Sequence, residues 1–188
     1  RVALVGYTNA GKSSLLNALC CRNPGLEVLA ENKLFATLDP TTRRLSLPQT
    51  SAAPRELLLT DTVGFIRELP KPLIEAFRAT LEETREADVL LLVVDLADPD
   101  WQSQLEAVHQ LLDGLSCDQL RKVVANQIDR CDAAAIETIR TLEPDVIYLS
   151  ATEGTGLKGL RNWLEKQFWD DAATPESFTQ QTSFLDHG

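Results

Sequence analysis

The feature that most constrains this chain is a G-x-x-x-x-G-K-S pattern, formed by Gly6, Tyr7, Thr8, Asn9, Ala10, Gly11, Lys12 and Ser13. An apolar run, Val2 to Val5, precedes the pattern, and leucines at helical spacing follow it. A glycine-rich turn between a strand and a helix directs backbone N–H groups at one anion, and the helix N-terminus adds its dipole. The pattern therefore predicts a phosphate-binding loop, in which Lys12 contacts the outer phosphates and Ser13 binds magnesium, with Ser14 beside it.

Further apolar runs alternate with helical patterns along the chain. The runs predict strands at 2–5, 43–47, 56–60, 89–95, 122–125 and 146–149. The helical patterns predict helices at 13–19, from 73 to about 85, from Asp98-Pro99, at 133–142 and from 157 to 168. This alternation predicts an α/β fold with a mostly parallel six-stranded sheet and helices on both faces. Ligands are then expected at the carboxyl ends of the strands.

The loop after the predicted strand 56–60 has the form D-x-x-G and contains Asp61, Thr62, Val63 and Gly64. An acid at a strand end beside a phosphate-binding loop can order magnesium, directly or through water. A glycine at the fourth position allows its backbone N–H to approach the terminal phosphate closely. We therefore expect Asp61 to act on magnesium and Gly64 to act on the phosphate.

Two later loops favour guanine as the base of the bound nucleotide. The first contains Asn126, Gln127, Ile128 and Asp129, and the second contains Ser150, Ala151 and Thr152. A carboxylate such as that of Asp129 can accept two hydrogen bonds from guanine, whereas adenine lacks that donor pair and is rejected. The backbone N–H of Ala151 is a candidate donor to the guanine carbonyl.

The composition limits the classes of partner. The formal net charge is −10, which argues against broad binding of nucleic acid phosphates by this domain. The longest apolar run, Val89 to Val94, has six residues and is too short to span a bilayer. Four cysteines without disulfide or zinc spacing favour a reducing compartment.

Arg1 enters the first strand directly, so no signal peptide is visible, and we expect a missing upstream segment. Residues 170–188 are polar and patternless and are expected to form a mobile tail beyond a domain at 1–169.

The motifs in this order resemble the Ras-like GTPase superfamily, which implies a three-layer Ras-like P-loop G domain. Longer strings resemble the HflX family. These strings are residues 6–13, 34–43 (LFATLDPTTR), 61–70 (DTVGFIRELP) and 73–83 (LIEAFRATLEE). The resemblance implies a first-switch segment formed by Phe35, Ala36, Thr37, Leu38 and Asp39. Thr37 would join Ser13 and Asp61 as a magnesium ligand. From the residues alone, Thr41 and Thr42 are equal candidates for this first-switch threonine.

The resemblance also implies an activity and partners. It implies a GTP-hydrolysing switch that uses Mg²⁺, with Lys12, Thr37 and Gly64 as catalytic residues, and that binds ribosomes, chiefly the large subunit. We expect a monomeric G domain without membrane contact, in the cytoplasm, or in the chloroplast stroma of a photosynthetic eukaryote.

Two positions depart from the general GTPase pattern. Phe65 stands where Ras-like enzymes carry a glutamine that orients the attacking water, as is typical of HflX proteins. Gln127 stands where the N-K-x-D motif has lysine, so the charge that normally supports the phosphate-binding loop is lost. Some GTPases without the catalytic glutamine resemble this chain in carrying an asparagine in the phosphate-binding loop, and that asparagine helps bind K⁺. Asn9 is therefore a candidate K⁺ ligand. The alternative is a hydrogen bond of Asn9 within its own loop.

Two other functions remain open from the sequence. One is a module that binds guanine nucleotides with negligible turnover, because Phe65 leaves the water without an obvious partner. The other is a P-loop kinase or ATPase, which shares the loop at 6–13. The Asn126 and Asp129 pair, and the absence of a kinase lid pattern, argue against the second function.

Overall fold

The structure is a computed structural model that describes residues 1–20, 41–47, 55–62, 64 and 82–169, with residues 82 and 83 as backbone only. Three predicted features lie outside the described residues: the first-switch segment at 35–39, most of the helix predicted from residue 73, and the tail at 170–188.

The described strands are β1 (Val2–Val5), β2 (Thr41–Leu47), β3 (Arg55–Asp61), β4 (Val89–Asp95), β5 (Leu120–Asn126) and β6 (Ile147–Tyr148). The described helices are α1 (Lys12–Cys20), α2 (Glu82–Arg85), α3 (Trp101–Gly114), α4 (Ala133–Leu142) and α5 (Leu157–Trp169). The strands form one sheet in the order β2-β3-β1-β4-β5-β6. β2 pairs antiparallel with β3, and every other neighbouring pair is parallel. This arrangement confirms the predicted α/β architecture.

β4 shows why the sheet carries helices on both faces. Successive side chains of a strand point to opposite faces, and six of its seven residues are buried. Leu90, Leu92 and Val94 pack in the core cluster that contains residues of α3 and α4. Val89, Leu91 and Val93 pack in the cluster that contains residues of α1 and α5. The continuous apolar run is therefore the signature of a strand covered on both sides.

The helix predicted to open at Asp98 begins later. α3 starts at Trp101, with Asp100 as the N-cap residue and no side-chain capping bond. Asp98 instead accepts a hydrogen bond from the backbone N–H of Asp100 (2.8 Å) and another from the side chain of Gln104 (2.8 Å). The prediction was wrong because aspartate forms such turns over two residues as readily as it caps helices.

The last strand is shorter than predicted. β6 covers only Ile147 and Tyr148, whereas the sequence predicts a strand over 146–149. The N–H of Leu149 still donates to the carbonyl of Ala125 (2.8 Å). The N–H of Val146 is already used in a turn to the carbonyl of Glu143 (3.0 Å). None of the described helices combines the length and the apolar character that crossing a bilayer requires.

Candidate nucleotide-binding site

The predicted site residues lie at one edge of the sheet. β1, β3, β4 and β5 are parallel neighbours, so their carboxyl ends share that edge. Residues 6–11 follow β1, Asp61 ends β3, Asp95 ends β4 and Asn126 ends β5. The structure thus gathers four segments that are up to 120 residues apart in sequence (6 and 126).

Lys12 is the first residue of α1, and only 6% of it is exposed. Its Nζ donates to the backbone carbonyls of Gly6 (3.0 Å) and Tyr7 (2.8 Å). Burial lowers the pKa of Lys12 from 10.5 to about 8, partly offset by the negative charge of Asp61. An ammonium group has three N–H donors, so two bonds to the loop leave one to meet a phosphate oxygen.

Ser13 and Asp61 form the oxygen pair of the site. Oγ of Ser13 donates to Oδ2 of Asp61 at 2.5 Å, and Asp61 is fully buried. Ser13 lies in the first turn of α1 and Asp61 ends β3, and a hydroxyl and a carboxylate are hard oxygen donors of the type that Mg²⁺ prefers. The two side chains therefore fit a magnesium ion, to which they would supply oxygen ligands.

Gly64 lies directly against the phosphate-binding loop. A Cβ atom on Gly64 would lie 2.8 Å from Cα of Thr8 and 2.9 Å from its backbone nitrogen. Thr62 anchors the same segment, because its Oγ1 donates to the carbonyl of Leu4 (2.6 Å) and its backbone N–H donates to the same oxygen (3.3 Å). The absence of a side chain at position 64 thus allows the two loops to touch.

Asn126 joins three loops through one buried amide. Its Nδ2 donates to the carbonyl of Ala10 (3.0 Å), and its Oδ1 accepts from the backbone N–H of Ala151 (3.0 Å). The Ala151 N–H, which the sequence marks as a donor to the base, is therefore engaged with Asn126 in this structure. Ile128 adds a further link, since its N–H donates to the carbonyl of Leu149 (3.4 Å).

The remaining predicted residues differ in exposure. Asp129 and Thr152 are exposed, and Ser150 is buried. The Ser150 backbone donates to the carbonyl of Thr155 (3.0 Å), and its hydroxyl accepts from the N–H of Glu153 (3.1 Å). Ser150 therefore shapes its loop. Tyr7, Thr8, Ser14, Gln127 and Ile128 are half-buried, and Asn9 is exposed.

Some predicted residues lie outside the described part of the chain. These are Phe35, Ala36, Thr37, Leu38, Asp39, Val63 and Phe65. Conversely, the structure brings Asp95 and Arg130 to the site, and the sequence motifs mark neither of them. Asp95 accepts from Nε2 of Gln127 at 2.6 Å, and Arg130 donates to Oε1 of Gln127 at 2.7 Å.

Comparison with known proteins agrees with this geometry. The model of a family described as "50S ribosome-binding GTPase" matches residues 1–127, which is more than half of the chain. The chain belongs to this GTPase family. The HflX resemblance is confirmed as well, because a GTPase HflX of Lacrimispora saccharolytica is 50% identical over 165 residues. A GTPase HflX of Magnetococcus marinus is 48% identical over 166 residues.

These alignments cover 87% and 88% of this HflX-family chain, but only 37% of each relative. The chain thus spans little more than a third of the length of the curated relatives it matches. Among solved structures, a GTP-binding protein from Sulfolobus solfataricus in complex with GDP has a TM-score of 0.66 and 28% identity. That match covers 88% of this chain and 51% of the other chain.

Proposed function

We propose that this HflX-family domain binds guanine nucleotides with Mg²⁺ and hydrolyses GTP to GDP and phosphate as a conformational switch. The observation that carries the proposal is the convergence of Lys12, the Ser13–Asp61 oxygen pair and Asn126 at one sheet edge. Membership in a GTPase family supports the same reaction. The matched relatives are GTPases and give no support to the kinase or ATPase alternative.

Each described residue has a role that follows from its place. Lys12 would compensate phosphate charge through the one N–H donor that its bonds to the two loop carbonyls leave over. Ser13 and Asp61 would hold Mg²⁺, which when bound neutralises charge between the β- and γ-phosphates. Gly64, in contact with Thr8, would present its backbone N–H to the terminal phosphate. Asp129 would accept two hydrogen bonds from guanine.

Thr37 lies outside the described residues, and its role rests on the HflX resemblance alone. We propose it as a further magnesium ligand that senses the γ-phosphate.

A competition titration tests the binding step. Fluorescent mant-GDP is bound to the chain in the presence of Mg²⁺ and then displaced by GDP, GTP or ATP. We expect ATP to displace it at concentrations at least about 100-fold higher than GTP, because adenine leaves the Asp129 carboxylate unpaired. Equal displacement by ATP and GTP would contradict guanine recognition.

Phosphate release from GTP tests the hydrolysis step, with Ser13→Ala as the comparison. Ser13→Ala removes one magnesium ligand, so we expect turnover to fall by about 100-fold or more while the fold persists. Tight guanine binding without phosphate release by the unchanged chain would instead favour a binding module.

We further propose the large ribosomal subunit as the partner and the cytoplasm as the compartment. The description of the matched family supports this, whereas the net charge of −10 argues that the domain binds ribosomal RNA weakly. Arg44, an exposed cation on the outermost strand β2, is paired with Glu56 at 3.5 Å. Sedimentation of the chain with purified subunits should show weak, salt-sensitive binding. Binding that persists in high salt would contradict this expectation.

A further inference from the structure

Gln127 occupies the position at which the N-K-x-D pattern carries a cation, and the structure shows what surrounds it. The register of β4 and β5 pairs Asp95 with Asn126, so that Asp95 lies next to Gln127. Nε2 of Gln127 donates to Oδ2 of Asp95 at 2.6 Å and lies 3.5 Å from the carbonyl of Asn9. The amide thus faces both a carboxylate and the phosphate-binding loop.

The other end of the same amide meets a cation. Nη1 of Arg130 donates to Oε1 of Gln127 at 2.7 Å, and the backbone N–H of Arg130 donates to the Gln127 carbonyl (3.0 Å). A carboxylate on one side and a guanidinium on the other fix the orientation of the amide, because only one assignment satisfies both neighbours. The neutral Gln127 amide therefore links the negative charge of Asp95 to the positive charge of Arg130 through two hydrogen bonds.

These hydrogen bonds lie beside two residues with an uncommon backbone conformation. Both Asn9 and Gln127 have left-handed backbones, with φ of 66° and 59°. Such conformations are uncommon in residues other than glycine, although asparagine adopts them more readily than glutamine does, so that Gln127 gains most from the contacts around it. Asp95 is itself fixed, since its Oδ1 accepts from the N–H of Ala97 at 2.8 Å.

We propose that Arg130 is a positioning residue for the guanine nucleotide, and that it supplies through Gln127 the positive charge that lysine supplies in the N-K-x-D pattern. This inference rests on the proposed binding of guanine nucleotides. Arg130 neutralises the Asp95 carboxylate, which would otherwise lie uncompensated beside the phosphate-binding loop. Gln127 transmits that interaction and holds the tip of the loop at Asn9.

The test is a double-mutant cycle on the affinity for mant-GDP. The variants are Arg130→Ala, Gln127→Lys and the two combined. With Gln127 present, Arg130→Ala should weaken binding by roughly tenfold, because it breaks a charged hydrogen bond. In the Gln127→Lys background, the new ammonium pairs directly with Asp95, so that losing Arg130 should change the affinity by less than about twofold.

Three controls make the result specific. Arg140→Ala removes one positive charge from an exposed ion pair with Glu137 and should leave the affinity unchanged. Arg130→Lys keeps one donor for Gln127 and should recover part of the affinity. The preference for guanine over adenine should stay the same in every variant, because Asp129 is retained.

Two results overturn the proposal. One is an equal loss from Arg130→Ala in the unchanged and the Gln127→Lys backgrounds, and the other is no loss in either background. If the unchanged chain fails to bind mant-GDP, then the proposed function fails, and this inference fails with it. If the unchanged chain binds mant-GDP normally but the two substitutions act independently, then only the proposed role of Arg130 is overturned.

Discussion

A Cβ atom on Gly11 would lie 2.2 Å from Nδ2 of Asn126, so the side chain of Asn126 occupies space that only glycine leaves open. The φ of Gly11 is 87°, a conformation that also favours glycine. Because Gly11 has no side chain, Asn126 can reach the carbonyl of Ala10. Asn126 thereby holds the phosphate-binding loop against the loop that follows β6. The second glycine of the motif therefore makes room for the Asn126 side chain as well as for the turn of its own loop.

Asn126→Ala should destabilise the domain and weaken nucleotide binding. The change leaves the Ala10 carbonyl and the Ala151 N–H without their buried partner. We expect a loss of about 2–4 kcal/mol in the free energy of unfolding, measured by urea denaturation. Asn162→Ala, at an exposed position of α5, is the matched control and should change little. Equal stability of the two variants would refute the role of Asn126 as a link.

Gly64→Ala should push two loops apart. The new methyl group would collide with the backbone of Thr8, which cannot move as a side chain can. We expect a loss of about 1–3 kcal/mol in the free energy of unfolding. Gly159→Ala is the control, because a Cβ there meets nothing within 4 Å and replaces glycine in α5. That control should stabilise the domain by about 0.5–1 kcal/mol. A neutral Gly64→Ala would show that the contact with Thr8 is not maintained.

Nucleotide binding should take up a proton above pH 8. The pKa of Lys12 is lowered to about 8 in the free domain, mainly by burial, and phosphates should raise it again because they favour the ammonium. Affinity should therefore fall as pH rises through 8. At pH 8.5 a group with this pKa is roughly one quarter protonated, so GDP binding should take up about three quarters of a proton.

Calorimetry of GDP binding in two buffers of different ionisation enthalpy measures this uptake. At pH 7 Lys12 is already charged in the free domain, so its contribution should vanish there. For the free domain, the unfolded chain binds more protons than the folded one between about pH 8 and 10.5. Lys12 thus makes the folded domain more stable as pH rises through that window. Proton uptake at pH 8.5 that does not exceed that at pH 7 would contradict the lowered pKa.

Asp129→Asn should change the base preference from guanine to xanthine. The exposed carboxylate would accept from the ring N–H and the amino group of guanine, whereas an amide can donate to the carbonyl that xanthine carries instead. Displacement of mant-GDP by GDP and XDP measures the change in both proteins. An unchanged order of affinities would mean that another residue selects the base.

Turnover should be faster in potassium chloride than in sodium chloride if the Asn9 side chain helps hold a cation. Asn9 is exposed with a φ of 66°, so Asn9→Gly removes the side chain and still permits the backbone. The rates of phosphate release are compared in equal concentrations of the two salts. Equal rates for the unchanged domain would exclude a specific role for potassium, and a salt difference that survives in Asn9→Gly would exclude Asn9.

Much of the site was predictable because its motifs are local. The strand, turn and helix around Lys12 and Ser13 are encoded within about twenty consecutive residues, and the apolar runs predicted where the strands lie along the chain. The alternation of strands and helices then placed the loops at one edge of the sheet. The N-cap at Asp98 was mispredicted because the competing aspartate turn depends on only two following residues, which the pattern does not distinguish.

The sequence by itself determined the fold class, the phosphate-binding loop and the chemical types available at the sheet edge. Only the tertiary structure decided which groups meet. Asp95 and Gln127 are 32 positions apart, and their contact depends on the register between β4 and β5. Arg130 gains its place through a turn that returns to Gln127. Hydrogen bonds and ion pairs are effective only over a few ångströms, so partners distant in sequence are set by the packing of the sheet.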